Sequence, residues 1–249
     1  MEKSMNEKHY EIHYYETNYT GEILFSNLIN FFNDVAVQHS EKCGMGLKFL
    51  AEKQIAWVLY KLNLKISRYP KFMDKVLVKT WTYSFNKFYG YREFEVQDSD
   101  GNIIATADSI WLLINTVKRR PVKISDELYK AFGSEMLSDK TLDIPDIPKL
   151  EEESNSLEFK VRYSDIDTNR HVNSAKYAIW LIEAVPLDIV LNYTMVNINI
   201  IYKKETTYGE TIKTIVNFSK TEDRIICIHK IINSNGAELN AAQTEWVKN

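Results

Sequence analysis

The hydrophobic residues of this chain follow a helical spacing in two separate segments. In the first segment, apolar side chains recur at intervals of three and four along one face: Leu28, Phe31, Phe32, Val35 and Ala36. This spacing predicts a long helix from about Ser26 to Cys43, with Gly44 as its stop. The second segment has the same spacing and predicts a helix from about Ser174 to Val185. We therefore expect one long helix in each half of the chain.

The other long apolar segments have the composition and alternation of strands. Four of them follow each predicted helix, at residues 55–67, 75–83, 89–98 and 103–115 in the first half and at residues 195–204, 211–219, 224–233 and 237–248 in the second. A shorter strand precedes each helix, at residues 10–15 and 157–163. Turn sequences that end in glycine separate the last two strands of each set. One helix followed by antiparallel strands predicts an α+β fold, in which a sheet wraps around the helix.

The two halves of the chain also match each other residue by residue. Two ungapped blocks align in the same order: Tyr14 on Tyr163, Glu16 on Asp165 and Phe31 on Trp180 in the first, and Gly101 on Gly236, Ser109 on Thr244 and Trp111 on Trp246 in the second. Such self-similarity predicts a duplicated unit. We place an N-terminal repeat at residues 1–133 and a C-terminal repeat at residues 157–249. The segment between them, residues 134–156, has the proline and acidic content of a linker.

The composition narrows the class of protein. The chain has 249 residues, 45% of them hydrophobic, and a net charge of -3, so nucleic acid is a poor first hypothesis for a partner. The two cysteines, Cys43 and Cys227, are far apart and predict reduced thiols. The N-terminus lacks a signal-peptide core, and no apolar run approaches the ~20 residues of a membrane span. We expect a cytoplasmic protein without a membrane span, cofactor or metal.

A dense polar cluster precedes the second predicted helix. Within nine residues it contains two carboxylates, two carboxamides and an imidazole: Asp165, Asp167, Asn169, His171 and Asn173. Three of them, Asp167, Asn169 and His171, are two positions apart, so an extended segment would direct them to one side. Acid/base groups beside the N–H donors of a helix start are what hydrolysis of an activated acyl group requires. The first repeat lacks this set, which predicts one active site per chain, in the second half.

This polar block resembles that of the acyl-ACP thioesterases, a family of double hot-dog enzymes. The family block Asp-x-Asn-x-His-Val-Asn stands here from Asp167 to Asn173, followed by Tyr177. Further family-like segments occur in the first half: Trp57-Val58-Leu59, Arg68-Tyr69-Pro70 and Ser109-Ile110-Trp111. The resemblance implies a tandem hot-dog fold and hydrolysis of fatty acyl-ACP to free fatty acid, which ends chain elongation. It also implies acyl carrier protein as the partner, and it leaves a homodimer open.

The resemblance assigns catalytic roles to Asp167, Asn169, His171 and Glu205. It implies that Glu205 and His171 activate water and that Asn169 polarises the thioester carbonyl. Asp167 either orients His171 or attacks directly. The family cysteine after the glutamate is replaced here by Thr206, so a thiol nucleophile is absent from that position.

Several residues have alternative interpretations. Related single hot-dog acyl-CoA thioesterases use a block like Tyr-x-Asp-x-Asp, which makes Asp165 an alternative catalytic residue. Asn173 is a candidate substrate contact, although the N-cap of the helix, at Asn173 or Ser174, is the favoured role. We expect Trp57 to line the acyl pocket, and we expect Arg119 and Arg120 to contact the acidic carrier.

The same sequence leaves three other functions open. The first is an acyl-CoA thioesterase of the same fold. The second is a hot-dog dehydratase, which the Asn-x-His arrangement disfavours. The third is a non-catalytic acyl-binding protein, which the intact polar block disfavours.

Overall fold

The computed structural model of the protein describes residues 4–133, 138–167 and 170–249. The chain forms two compact units, Met1–Tyr60 with Ser67–Ile144 and Lys61–Ile66 with Pro145–Asn249. The first unit ends at Ile144, inside the predicted linker at residues 134–156. The predicted boundaries of the repeats, residues 1–133 and 157–249, stay a prediction, because a compact unit need not coincide with a repeat.

The first unit is an antiparallel sheet with one long helix. Its elements are β1 (Met5–Glu11), a 3₁₀ turn (Tyr14–Glu16), α1 (Phe25–Lys42), α2 (Leu47–Glu52), β2 (Ile55–Ile66), β3 (Lys75–Asn86), β4 (Tyr89–Gln97), β5 (Ile103–Asn115), β6 (Arg120–Pro121) and α3 (Asp126–Ala131). The strand order is β1-β3-β4-β5-β2, with β6 beside β5. The pairs β1–β3, β3–β4 and β4–β5 are antiparallel. The long helix α1 lies against β1 and β3.

The second unit repeats this architecture. Its elements are β7 (Asn155–Lys160), a 3₁₀ turn (Tyr163–Asp165), α4 (Ser174–Glu183), α5 (Leu187–Asn192), β8 (Tyr193–Tyr202), β9 (Thr211–Lys220), β10 (Arg224–Asn233) and β11 (Glu238–Lys248). The antiparallel order is β8-β11-β10-β9-β7. The end of β2, Lys61 to Lys65, pairs with β8. The helix α4 lies against β9 and β10, and α5 lies against β8.

Both long helices bury the apolar face that their spacing predicts. The buried residues of α1 are Ser26, Leu28, Ile29, Phe31, Phe32, Val35, Ala36 and His39. Those of α4 are Ala175, Tyr177, Ala178, Trp180 and Leu181. Burying this many large side chains against a sheet stabilises each unit, since each such side chain contributes ~1.5–3 kcal/mol. The predicted α+β fold with one long helix per repeat is confirmed.

The elements that the spacing did not predict are short. The helices α2, α3 and α5 have six residues each, fewer than two turns, so they carry little periodic signal. Among the residues that the structure describes, every helix is too short or too polar to cross a bilayer.

The two predicted short strands are wrong at their C-terminal ends. The predicted strand 10–15 overlaps β1 (Met5–Glu11) only at Tyr10 and Glu11, so its start is wrong as well. The chain then turns, because the Glu16 carboxylate accepts a hydrogen bond from the His13 N–H at 2.8 Å. The predicted strand 157–163 likewise ends early, and the Asp165 carboxylate accepts from the Arg162 N–H at 2.8 Å. A carboxylate three residues ahead therefore closes a 3₁₀ turn in both repeats.

Equivalent hydrogen bonds occur in the two units at positions that the sequence repeat aligns. The Trp111 indole N–H donates to the Ser109 hydroxyl at 2.9 Å, and the Trp246 indole N–H donates to the Thr244 hydroxyl at 2.8 Å. The hairpin turns also match, because Gly101 and Gly236 both have positive φ, at 82° and 74°. In each hairpin an Asx turn precedes the glycine, and the glycine adopts the left-handed conformation.

Two buried histidines predict that the protein loses stability in mild acid. Burial lowers the pKa of His39 to about 4, helped by the charges of Arg92 and Lys42, and burial lowers the pKa of His229 to about 3. In the unfolded chain both titrate near pH ~6.5. Between about pH 6.5 and 4, the unfolded state therefore binds about one more proton per histidine than the folded state. The free energy of unfolding should fall as the pH falls through this window.

Urea unfolding between about pH 5 and pH 7 measures this slope. His39→Gln and His229→Gln should each reduce the slope of the unfolding free energy against pH by the equivalent of about one bound proton, because glutamine does not titrate. An unchanged slope in both variants would contradict the prediction.

Candidate active site

A tight loop between the second 3₁₀ turn and α4 carries the polar block. The N–H of Asp167 donates to the carbonyl of His171 at 2.8 Å, and the N–H of Arg170 donates to the carbonyl of Asp167 at 3.0 Å. Ile166 and Val172 pair as an isolated antiparallel bridge. Arg170 has φ of 66°, a left-handed conformation that non-glycine residues seldom adopt. These backbone hydrogen bonds close the loop, and Arg170 adopts a strained backbone conformation in it.

The loop brings His171 to Glu205. The Val172 N–H donates to the carbonyl of Thr206 at 3.2 Å, which ties the loop to the segment after β8. His171 Nδ1 lies 3.3 Å from Glu205 Oε2, in ion-pair range. The two side chains are 24% and 29% exposed, so both are partly shielded and still open to solvent. A carboxylate beside one ring nitrogen orients an imidazole and stabilises its protonated form.

Asp167 contacts the backbone of the same loop. Its Oδ1 accepts a hydrogen bond from the His171 N–H at 3.4 Å. This contact helps hold the loop that presents His171. Asn169, the predicted carbonyl-polarising residue, lies outside the described residues.

Asp165 is fully buried and paired on both oxygens. Its carboxylate accepts from the Arg162 N–H at 2.8 Å and from Arg162 Nε and Nη2 at 3.1 Å each. Lys176 Nζ lies 3.8 Å away. Burial alone would raise the pKa of Asp165, but the hydrogen bonds and charge of Arg162 outweigh it and lower the pKa. These contacts favour a structural role, and the alternative catalytic assignment of Asp165 stays a prediction.

Asn173 is the N-cap of α4. Its side-chain oxygen accepts from the Ala175 N–H at 2.9 Å, and its own N–H donates to the carbonyl of Asp165 at 2.9 Å. The favoured N-cap role is confirmed. A substrate contact for Asn173 stays a prediction.

Thr206 occupies the position of the family cysteine and is buried. Its hydroxyl donates to Glu210 Oε2 at 2.8 Å, and its N–H donates to the Tyr177 hydroxyl at 3.1 Å. Tyr177 therefore anchors the residue directly after Glu205 to α4. Burial raises the pKa of Tyr177, so the phenol is neutral. Tyr177 lies within the predicted helix 174–185, and its place at the end of the family block was a signal of a further role.

The first repeat contains the same loop without the acid/base groups. The N–H of Asn18 donates to the carbonyl of Glu22 at 2.8 Å, and the Asn18 side-chain oxygen accepts from the Glu22 N–H at 3.1 Å. Gly21, with φ of 79°, occupies the left-handed position that Arg170 occupies in the second repeat. Because Asn18 aligns with Asp167 and Glu22 with His171, the backbone frame is common to both repeats. The candidate chemistry belongs to side chains added in the second.

Apart from Asn173, the predicted substrate contacts lie in the first unit. Trp57 is half-buried and packs against an apolar cluster there, with its ring centroid 6.2 Å from that of Phe85. Arg119 and Arg120 are exposed, in a turn that Asn115 closes by accepting the Lys118 N–H at 2.6 Å. Their roles in acyl and carrier binding stay predictions.

The shared loop gives a test of what Asp167 does for stability. We expect Asp167→Asn to leave the free energy of unfolding nearly unchanged, because Asn18 holds the same loop with an amide oxygen. Asp167→Ala should lose about 1 kcal/mol, the value of one hydrogen bond. Urea unfolding measures both, with Asn18→Ala as the matched change in the first repeat. Equal losses for Asp167→Asn and Asp167→Ala would show that the loop needs the charge.

Family models match nearly the whole chain. The acyl-ACP thioesterase N-terminal domain matches residues 3–132, and the acyl-ACP thioesterase C-terminal domain matches residues 148–248.

Curated plant relatives agree with these models. A palmitoyl-acyl carrier protein thioesterase, chloroplastic, of Gossypium hirsutum is 27% identical over 259 residues, which is 96% of this chain and 63% of the relative. A dodecanoyl acyl-carrier-protein hydrolase, chloroplastic, of Umbellularia californica is 26% identical over 234 residues, which is 88% of this chain and 61% of the relative. The chain thus spans about three fifths of the length of these relatives.

Solved structures share the fold over the whole chain. A protein assigned as an oleoyl thioesterase from Lactobacillus plantarum superposes with a TM-score of 0.94 at 27% identity, covering 99% of this chain and 97% of that chain. The 12:0-ACP thioesterase from Umbellularia californica superposes with a TM-score of 0.88 at 24% identity, covering 98% and 94%. The tandem hot-dog prediction is confirmed. The chain belongs to the acyl-ACP thioesterase family.

Proposed function

We propose that this protein hydrolyses the thioester of fatty acyl-ACP to free fatty acid and acyl carrier protein, and so ends fatty acid chain elongation. The observation that carries the proposal is the His171–Glu205 pair, 3.3 Å apart, held at the start of α4 in the second repeat only. The plant relatives are named as enzymes of this reaction. Because this chain spans about three fifths of their length, their activity enters here as a proposal.

The pair suits the activation of water. In this scheme the ring proton of His171 lies on Nδ1, which faces Glu205 Oε2 at 3.3 Å, and Nε2 accepts a proton from water. The resulting hydroxide attacks the acyl carbon and forms a tetrahedral oxyanion. Collapse of this intermediate breaks the C–S bond, and the leaving thiolate takes the proton back from His171. General base and acid roles of this kind contribute ~10²–10⁴-fold.

Asp167 fits this scheme as a positioning residue. Its carboxylate accepts the His171 N–H, and it holds the loop through the same contact that Asn18 makes in the first repeat. Direct attack by Asp167 on the acyl carbon is the alternative. In either scheme Asn169 and the N-terminus of α4 are the proposed stabilisers of the oxyanion, since the helix dipole favours negative charge there.

The catalytic pair gives the first prediction for activity. His171→Ala and Glu205→Gln should each lower kcat by ~10²-fold or more, because the water loses its base or the base loses its orientation. Release of free fatty acid from acyl-ACP, followed by mass spectrometry, measures this. Glu22→Gln is the matched control, since Glu22 aligns with His171 in the first repeat, and its turnover should stay unchanged.

The same assay decides between carrier substrates. Matched acyl-ACP and acyl-CoA series compare the proposal with the acyl-CoA alternative. Full activity of His171→Ala on both would remove the proposed mechanism. Faster release from CoA would place the protein with the acyl-CoA thioesterases.

An acidic carrier requires a basic contact surface, which we place at Arg119 and Arg120 in the exposed turn after β5. Arg119→Glu with Arg120→Glu should raise the KM for acyl-ACP several-fold and leave a small thioester unaffected. Steady-state kinetics on both substrates measures this. Lys75→Glu, an exposed charge reversal in the same unit, is the control. An equal rise in KM for both substrates would refute docking at this turn.

Location and assembly belong to the same proposal. We propose a cytoplasmic location, which differs from the chloroplastic location in the names of the plant relatives. A homodimer also stays a proposal.

A further inference from the structure

Arg92 is a buried cation in the first unit without an acidic partner. It lies on β4 and is 8% exposed. Its Nη1 donates to His39 Nδ1 and to Thr80 Oγ1, both at 3.0 Å, and its guanidinium carbon lies 5.8 Å from the centroid of the Phe132 ring. Over the three described segments, Arg92 forms no ion pair with a carboxylate. Burial lowers the pKa of Arg92 to about 10, so it remains protonated at neutral pH.

His39 does not compensate this charge. Because a guanidinium only donates, His39 Nδ1 must accept, and the ring proton must lie on Nε2. That nitrogen faces the Ser4 hydroxyl at 2.8 Å. Burial, Arg92 and Lys42 together lower the pKa of His39 to about 4, so the imidazole is neutral.

The free part of the guanidinium has the geometry of a carboxylate receptor. Both side-chain hydrogen bonds of Arg92 among the described residues use Nη1. Nε and Nη2 are absent from the fully buried atoms that lack a partner, so solvent reaches these two donors. Arginine pairs with carboxylates through two parallel N–H donors of this kind. Two donors that solvent reaches, on a guanidinium without a carboxylate partner among the described residues, would bind an anion favourably.

The surroundings of Arg92 suit an anion with a hydrocarbon chain. Phe132, which lies over the guanidinium, belongs to a buried apolar cluster with Phe85, Leu113, Ile124, Leu128 and Tyr129. Further apolar residues pack against this cluster and are only partly buried: Cys43, Met45, Phe49, Ile55 and Trp57. A cation at the edge of a partly open apolar surface matches a carboxylate head with an apolar tail.

We propose that the first unit binds a free fatty acid, with its carboxylate on Arg92 and its chain along the Phe132 cluster. A free fatty acid is the product of the proposed reaction, and to that extent the inference rests on the proposed function. Trp57, the residue predicted to line the acyl pocket, belongs to the same cluster. A bound fatty acid would therefore compete with the acyl chain of the substrate, which makes the protein subject to inhibition by its product.

Cys43 is the rival source of negative charge. Its Sγ lies 3.5 Å from the Ser4 hydroxyl, and a thiolate there would favour the charged form of Arg92. If the thiolate neutralised Arg92, a carboxylate would gain nothing at the site. An added fatty acid would stabilise the protein through its carboxylate if Arg92 has no anionic partner, and would not do so if the thiolate neutralised Arg92.

The experiment is a comparison of head groups by thermal unfolding. Dodecanoate and 1-dodecanol have the same chain and differ in charge. In the wild-type protein, dodecanoate should raise Tm by several degrees more than 1-dodecanol, because binding to the folded state stabilises it. In Arg92→Met this difference should disappear. Arg68→Met removes an exposed arginine of the same unit and should keep the difference.

Two further variants keep the test independent of folding and of catalysis. Arg92→Gln replaces Arg92→Met if the latter does not fold, and the wild-type comparison of the two head groups stands without either. His171→Ala should keep the full dodecanoate shift, so a failed hydrolysis assay and a failed binding assay are separate results. Equal shifts for acid and alcohol in the wild type overturn the proposal, as does a difference that persists in Arg92→Met. A difference that arises only in Cys43→Ser would overturn it in favour of the thiolate.

Discussion

One backbone hydrogen bond governs the candidate site, the bond from the Val172 N–H to the carbonyl of Thr206. It joins the loop before α4 to the segment after β8, two parts of the chain that are distant in sequence. His171 and Glu205 are each one residue away from this bond, so their side chains meet at 3.3 Å. Tyr177 supports the same junction from α4 by accepting the N–H of Thr206. Backbone pairing thus brings His171 and Glu205 together, and neutral groups hold this backbone pairing in place.

The two repeats share the backbone of the site loop and differ in the acid/base side chains that the loop carries. Both repeats close the loop with the same backbone bonds, and the first repeat does so with Asn18 and Gly21. In the second repeat the left-handed position is Arg170, where a glycine would be unstrained. Strain of this kind persists where the surrounding structure fixes the backbone, and it clusters at functional loops. The same loop is thus a structural element in both repeats, and it carries the His171–Glu205 pair in the second.

The sequence predicted what depends on local periodicity and missed what depends on single contacts. Spacing placed α1 and α4 within a few residues of their observed ends. It could not show that the carboxylates of Glu16 and Asp165 close a 3₁₀ turn, because one hydrogen bond leaves no periodic signal. Glu205 had no local pattern at all and was named through the family resemblance. The burial of Arg92 was not predicted either, although the residue shares a strand face with the buried Phe94 and Val96.

Among the described residues, Asp165 and Arg92 are buried charged side chains with different partners. Asp165 is enclosed with Arg162 and Lys176 around it, and its oxygens accept three hydrogen bonds from Arg162. A buried carboxylate with such partners has a structural role, because their hydrogen bonds and positive charge compensate its lost hydration. Arg92 is enclosed with neutral acceptors on one nitrogen only. The described residues therefore supply no negative charge for Arg92. A ligand with a carboxylate and an apolar chain would supply that charge and contact the adjacent apolar surface.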